Sequence, residues 1–265
     1  MRKYNPVIHR LILDTAVDVP FPPAQVVIHQ PRIDEISMCG GDHIILPGAV
    51  ALTKDYKSIQ DNFDLSQLSN FDILMKIITD KTNEKTKTVF DSVYQTLFLL
   101  FPKYKINFTP NSILLFDEEA KEVHMIDNNN FDLFQDYLYE IFCLAELGGA
   151  VTDDYNPAGD RAKALVEKFR KKRELLAELR KEKDADAALK SAYGRYLNIL
   201  AVGLGKDKNE LKKYSIYQLV EEYNRYQLKL TFDYTLKAKL AGATKVKDAK
   251  DWMDDIQFGI NKEED

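Results

Sequence analysis

The spacing of apolar residues changes several times along this chain, and each change predicts an element. Val26-Val27-Ile28 and Ile44-Ile45-Leu46 are short branched runs bounded by Pro20, Pro22, Pro23, Pro31, Gly40, Gly41 and Pro47. Both read as strands, which makes the opening stretch β-rich. From Asn70 the step lengthens to three and four, with Phe71, Leu74, Met75 and Ile78 on one helical face. A second helix carries Val89, Phe90, Val93, Leu97 and Leu100 and stops at Pro102. Strands are then predicted over 105–108, 112–116 and 122–126. Asn128–Asn130 stand where they would cap a helix bearing Phe131, Phe134, Leu138, Ile141 and Phe142.

Beyond Gly148-Gly149 and Asp153-Asp154-Tyr155-Asn156-Pro157 the strand signals nearly vanish. Ala162, Leu165, Val166, Phe169, Leu176 and Leu179 mark one face of a long charged helix. Tyr193, Tyr196, Leu197, Leu200 and Ala201 mark the next, ended by Gly203 and Gly205. Ser215 with Gln218 three residues on is a capping-box pattern. The helix it opens carries Ile216, Leu219, Val220, Tyr223, Leu230, Tyr234 and Ala238, with Gly242 as its C′ residue. A last short helix holds Val246, Ala249, Trp252, Met253 and Ile256. No repeat of fixed period is present. The expected architecture is an α+β N-terminal domain over 1–147, a hinge over 148–157, and an all-α C-terminal helical domain over 158–265 with an acidic tail.

Composition narrows the function classes. Of 265 residues, 45% are hydrophobic and 30% charged, enough apolar surface to offset chain entropy. The net charge of −5 argues against a general binder of nucleic acid or anionic membrane. Cys39 and Cys143, the only cysteines, read as two buried small hydrophobes rather than a disulfide framework. After Arg2 and Lys3 any signal-like core is broken by Asn5, Pro6, His9, Arg10 and Asp14. Leu97–Phe101 falls far short of the roughly 20 residues that span a bilayer. The chain is expected in a cytoplasm, where the sequon at Asn107-Phe108-Thr109 is a chance match.

The motifs of catalysis and ion binding fail one by one. Gly203-Leu204-Gly205-Lys206 has Leu200 and Asp207 where a P-loop needs glycine and a hydroxyl. A calcium loop opening at Asp154 has Ala158 at its fifth position and Leu165 at its twelfth. His29, Cys39, His43 and a remote Cys143 lack the paired spacing that preorganises zinc. A Cys39–His43 nucleophile pair has no supporting motif. Asp251, Asp254 and Asp255 read as a solvated helix face. The segment 161–183 holds ten Lys or Arg against four Glu, but Arg170-Lys171-Lys172-Arg173 fan around the helix rather than forming one reading edge. An exposed or protein-docking helix is the plainer reading, and nucleic-acid contact the alternative. No enzyme, cofactor or metal is expected.

Several segments share a likeness: Asn156–Asp160, Lys168–Arg173, Tyr214–Leu219, Ala241–Ala243 and Asp251–Ile256, with Phe71–Met75 and Phe108–Leu114 in the first half. Together they resemble tailed-bacteriophage tail morphogenesis proteins of phages of Gram-positive and gut bacteria. That resemblance implies a tail assembly chaperone acting in the cytoplasm of the infected host. Its partners would be the tape measure and tail tube proteins, with self-association possible through the α+β domain. A structural baseplate or tail completion protein is the alternative, and a nucleic-acid-binding regulator using 161–183 is a third. The residues singled out for partner binding are Tyr217, Tyr223, Tyr226, Trp252, Met253, Ile256 and Phe258. For each tyrosine, packing inside the helical domain is the competing reading.

Overall fold

A computed structural model describes residues 6–56, 68–79, 84–144, 191–242, 248 and 251–253. Helix α1 (Pro6–Asp14) leads into a two-stranded antiparallel ribbon, β1 (Val19–Phe21) with β2 (Val26–Ile28). A 3-10 turn over Pro22–Ala24 joins the strands, closed by Gln25 at φ 55°. Then come α2 (Ile33–Met38), α3 (Asp42–Thr53), α4 (Asn70–Thr79) and α5 (Glu84–Leu100). A three-stranded antiparallel meander follows, β3 (Tyr104–Thr109), β4 (Ser112–Asp117) and β5 (Glu122–Asp127), and then α6 (Phe131–Ile141). The C-terminal part is all helical: α7 (Ala192–Leu204), α8 (Lys208–Leu211) and α9 (Ile216–Leu240). The chain is therefore an α+β region followed by a helical one.

Burial explains the sheet and its packing. Ile113, Leu115 and Ile126 alternate onto one face of the meander and are fully buried, as period-2 patterning requires. Around them lies an aromatic core. Phe134 sits 6.0 Å from Phe101 in a stacked pair and 5.7 Å from Phe21 edge-on, while Phe71 meets Phe131 at 5.0 Å.

The opening stretch differs from expectation. Val26–Ile28 is a strand, but Ile44–Leu46 lies inside α3, and the region holds one small ribbon among three helices. A short apolar run reads alike as a buried strand or a buried helix turn. Here Ile45, Ala49 and Leu52, spaced by four and three, are all fully buried, so tertiary packing selects the helix. Pro47 is accommodated inside it. One residue later, Gly48 lets α3 approach α5 closely: a Cβ there would lie 2.2 Å from both the Ser92 carbonyl and Thr96 Oγ1. Thr96 donates across this contact to the Ile45 carbonyl at 3.1 Å.

Asn130 precedes α6 as expected, yet its side chain does not cap the helix. Its Oδ1 accepts from Asp127 N at 2.9 Å and its amide donates to the Met125 carbonyl at 3.1 Å, closing the turn behind it.

The helical region is tied to the α+β region through main-chain groups. Ile33 N donates to Tyr214 O at 3.2 Å, Asp34 N to Lys212 O at 2.9 Å, and Ile216 N to Pro31 O at 3.1 Å. Tyr193, Leu200, Leu211, Ile216, Tyr217, Leu219 and Val220 are buried within the same apolar core as the N-terminal elements. The expected hinge over 148–157 and the basic segment 161–183 lie outside the described residues.

Candidate interaction surface

The helical region is built from well-formed caps. Ser191 Oγ accepts from Gly194 N at 2.8 Å to start α7, and Gly205 at φ 65° ends it. Asp207 caps α8 through Asn209 N at 2.9 Å. Ser215 and Gln218 form the capping box reciprocally, each side chain accepting from the other residue's backbone N–H at 3.2 Å. Gln218 Nε2 also reaches back to the Asp14 carbonyl at 2.9 Å.

Aromatic packing joins α7 to the first half of α9. Tyr196 and Tyr223 have ring centroids 4.3 Å apart. The Tyr226 ring lies against Gly203, where a Cβ would stand 2.4 Å from the phenol oxygen. Lys206 Nζ donates to Tyr214 Oη at 3.0 Å and Glu222 Oε1 at 2.9 Å. Burial alone would lower the Lys206 pKa, but these two acceptors push it above the usual lysine range.

This geometry divides the expected partner-binding residues. Tyr217 is 3% exposed and packs the core, with burial pushing its phenol well above the ordinary range. Tyr223 is half-buried on Tyr196, and its hydroxyl accepts from Gln227 Nε2 at 3.0 Å. Tyr226 is half-buried against Gly203. Trp252 docks on the side of α9. Its carbonyl accepts from Arg225 Nη1 at 3.0 Å, and the Lys229 ammonium lies 5.7 Å from its ring centroid. Beside it Met253 is 67% exposed. Ile256 and Phe258 lie outside the described residues.

A second stripe on α9 escaped the sequence reading. After Val220 no side chain of the helix is buried, although leucines and aromatics continue to its end. By helical period Leu230 continues the side of Leu219, Tyr223 and Tyr226. Leu228, Phe232, Leu236 and Leu240, spaced by four, form another row on a different side. Each step of four advances about 40° around a helix of 3.6 residues per turn, so the row is a continuous oblique ridge. Leu236 is 47% exposed and Leu240 is 80% exposed. The uniform four-residue spacing through the helix end was the signal. It was hidden because Leu230 and Tyr234 already satisfied an amphipathic reading.

The N-terminal cysteine and histidines are engaged differently. His29 lies between two carboxylates, with Nδ1 2.8 Å from Asp18 and Nε2 2.9 Å from Glu35. The Cys39 thiol is pushed up by burial and by the nearby Glu35 charge, away from the thiolate form a nucleophile needs.

Residues 194–257 match the family described as the YomV second domain, a phage-associated family. The match begins within α7 and runs through α8, α9 and the Trp252–Met253 segment. No curated protein and no solved structure matches the chain. Among the described residues, no helix is long and apolar enough to cross a membrane.

Proposed function

We propose that this chain is a non-enzymatic morphogenesis factor of phage tails, a tail assembly chaperone that binds tail proteins such as the tape measure protein. The observation that carries the reading is the unburied ridge of α9. Leu228, Phe232, Leu236 and Leu240 stand on a helix whose first turn is locked in the core. Leu228 and Phe232 are only half-buried and Leu236 and Leu240 are exposed, and a protein seldom keeps such an apolar row at its surface without a use for it. Two further observations support the reading. The phage-associated match covers the helices that build and orient this ridge. Trp252, singled out for partner binding from the sequence together with Met253, lies against the same helix, and Met253 beside it is exposed.

Co-expression of the full-length chain with the tape measure protein of the same phage tests it. The tape measure protein is expected to stay soluble and to co-purify, and Leu236→Asp with Leu240→Asp is expected to reduce both effects. Both positions are exposed, so the double variant keeps its fold. If neither effect occurs with the natural chain, the chaperone reading fails. Presence of the chain in purified virions at fixed stoichiometry would then make it a structural component.

A further inference from the structure

We infer that the α9 ridge takes a single amphipathic helix flanked by carboxylates, laid obliquely across Leu228, Phe232, Leu236 and Leu240. The inference rests on reading α9 as a docking surface and adds the chemistry of its occupant.

Shape comes first. A row spaced by four is one of the two ridges a helix offers to another helix, and two such rows interdigitate at a crossing of about −50°. From Leu228 to Leu240 the row rises about 18 Å, the length of roughly three turns of a partner. Trp252 stands beside the row rather than on it. Arg225 holds the Trp252 carbonyl and Lys229 lies over its ring, so the surface has a wall as well as a floor.

Charge then selects the partner. Between residues 225 and 240 the helix carries Arg225, Lys229, Lys237 and Lys239 but only one carboxylate, Asp233. This is a cationic stretch in a chain whose net charge is −5. Helical periodicity puts Lys229 and Lys239 on opposite flanks of the ridge. Part of this charge is already answered, because Arg225 pairs with Glu221 at 2.6 Å and Lys239 meets Asp248. Asp248 is 91% exposed, a contact that a partner carboxylate displaces at little cost. Lys229 sits over the Trp252 ring with no carboxylate of its own among the described ion pairs. An apolar centre with cationic flanks is complementary to a helix having leucines on one face and glutamates beside them. A second copy of this chain would bring the same cations against one another.

The test uses the full-length protein and two synthetic helical peptides. Both have leucines at i, i+4, i+8 and i+12, flanked by glutamate in one and by lysine in the other. Fluorescence anisotropy at physiological salt is expected to show the glutamate peptide binding at least tenfold tighter than the lysine peptide. Leu236→Asp with Leu240→Asp, both exposed, should lose that binding at least tenfold, with an unchanged melting temperature. Lys229→Glu with Lys239→Glu should reverse the peptide preference. Equal binding of both peptides, or a preference unmoved by charge reversal, overturns the proposal. So does binding to vesicles of anionic lipid, dependent on Leu236 and Leu240, in place of the peptide. If the tape measure protein co-purifies through Leu236 and Leu240 while the glutamate peptide does not bind, this inference fails and the proposed function stands. If the peptide binds and the tape measure protein does not, the converse holds.

Discussion

Asp42 and Ala192 are 150 positions apart, and the carboxylate of the first accepts the backbone N–H of the second at 2.5 Å. Asp42 occupies the first turn of α3, while Ala192 opens α7. One buried carboxylate thus faces the positive ends of two helices. Asp42→Ala is expected to cost about 1–2 kcal/mol, the upper range for a lost helix cap, because it also leaves a partly buried N–H unpaired. Asp42→Asn keeps an acceptor and should recover much of that. Urea denaturation of the three proteins checks the order.

Ser215 starts α9 and is 1% exposed, so water does not replace its hydroxyl. Ser215→Ala should cost about 1 kcal/mol in the full-length chain. Gln218→Ala should cost at least as much, since it removes the reciprocal bond and the contact to the Asp14 carbonyl. A denaturation midpoint unchanged by Ser215→Ala would remove the capping assignment.

The close approach of α3 and α5 at Gly48 makes that position intolerant of any side chain. The methyl of Gly48→Ala would meet a backbone carbonyl, which cannot rotate away. The helices must separate, and overpacking of this kind costs about 1–3 kcal/mol. The melting temperature of Gly48→Ala should fall, and Gly48→Val should not yield a soluble protein.

Glu35 supplies a pH dependence. Burial pushes its pKa upward, but the Arg32 backbone N–H, His29 and the Arg32 side chain together hold it below the usual value. A carboxylate depressed on folding stabilises the protein above its unfolded pKa, and that contribution is lost as pH falls through the folded one. Glu35→Gln should therefore destabilise the protein at pH 7, and the difference should shrink below about pH 4. Thermal melts across this range measure it.

How much of this was legible in the sequence follows from the range of each interaction. The β3–β5 meander and helices α4 to α7 and α9 carry their own period and punctuation, so local pattern located them. Ser215 and Gln218 are three residues apart and announced their box. Ile44–Leu46 was misread because a three-residue run carries no period, and only the packing of Ile45, Ala49 and Leu52 decides it. Asp42 could not be found at all, because its partner lies at the start of another element. Along α9, tyrosine type alone could not separate the buried Tyr217 from the exposed Tyr234. Both lie on one helix, and what differs is how far along it the neighbouring elements reach.

The backbone bonds that join Pro31, Ile33 and Asp34 to Ile216, Tyr214 and Lys212 bear on how such a chain can be rearranged between genomes. The seam between its two regions does not run through solvent. A cut that excises 194–257, the span recognised as a family, strands two carbonyls and an N–H and leaves Tyr217, Leu219 and Val220 without their cover. A recombinant that carries α9 into another protein must bring a surrogate for the 31–34 segment, or a host surface already shaped to replace it. The exposed side of α9 can vary residue by residue, but the helix cannot be traded as a cassette.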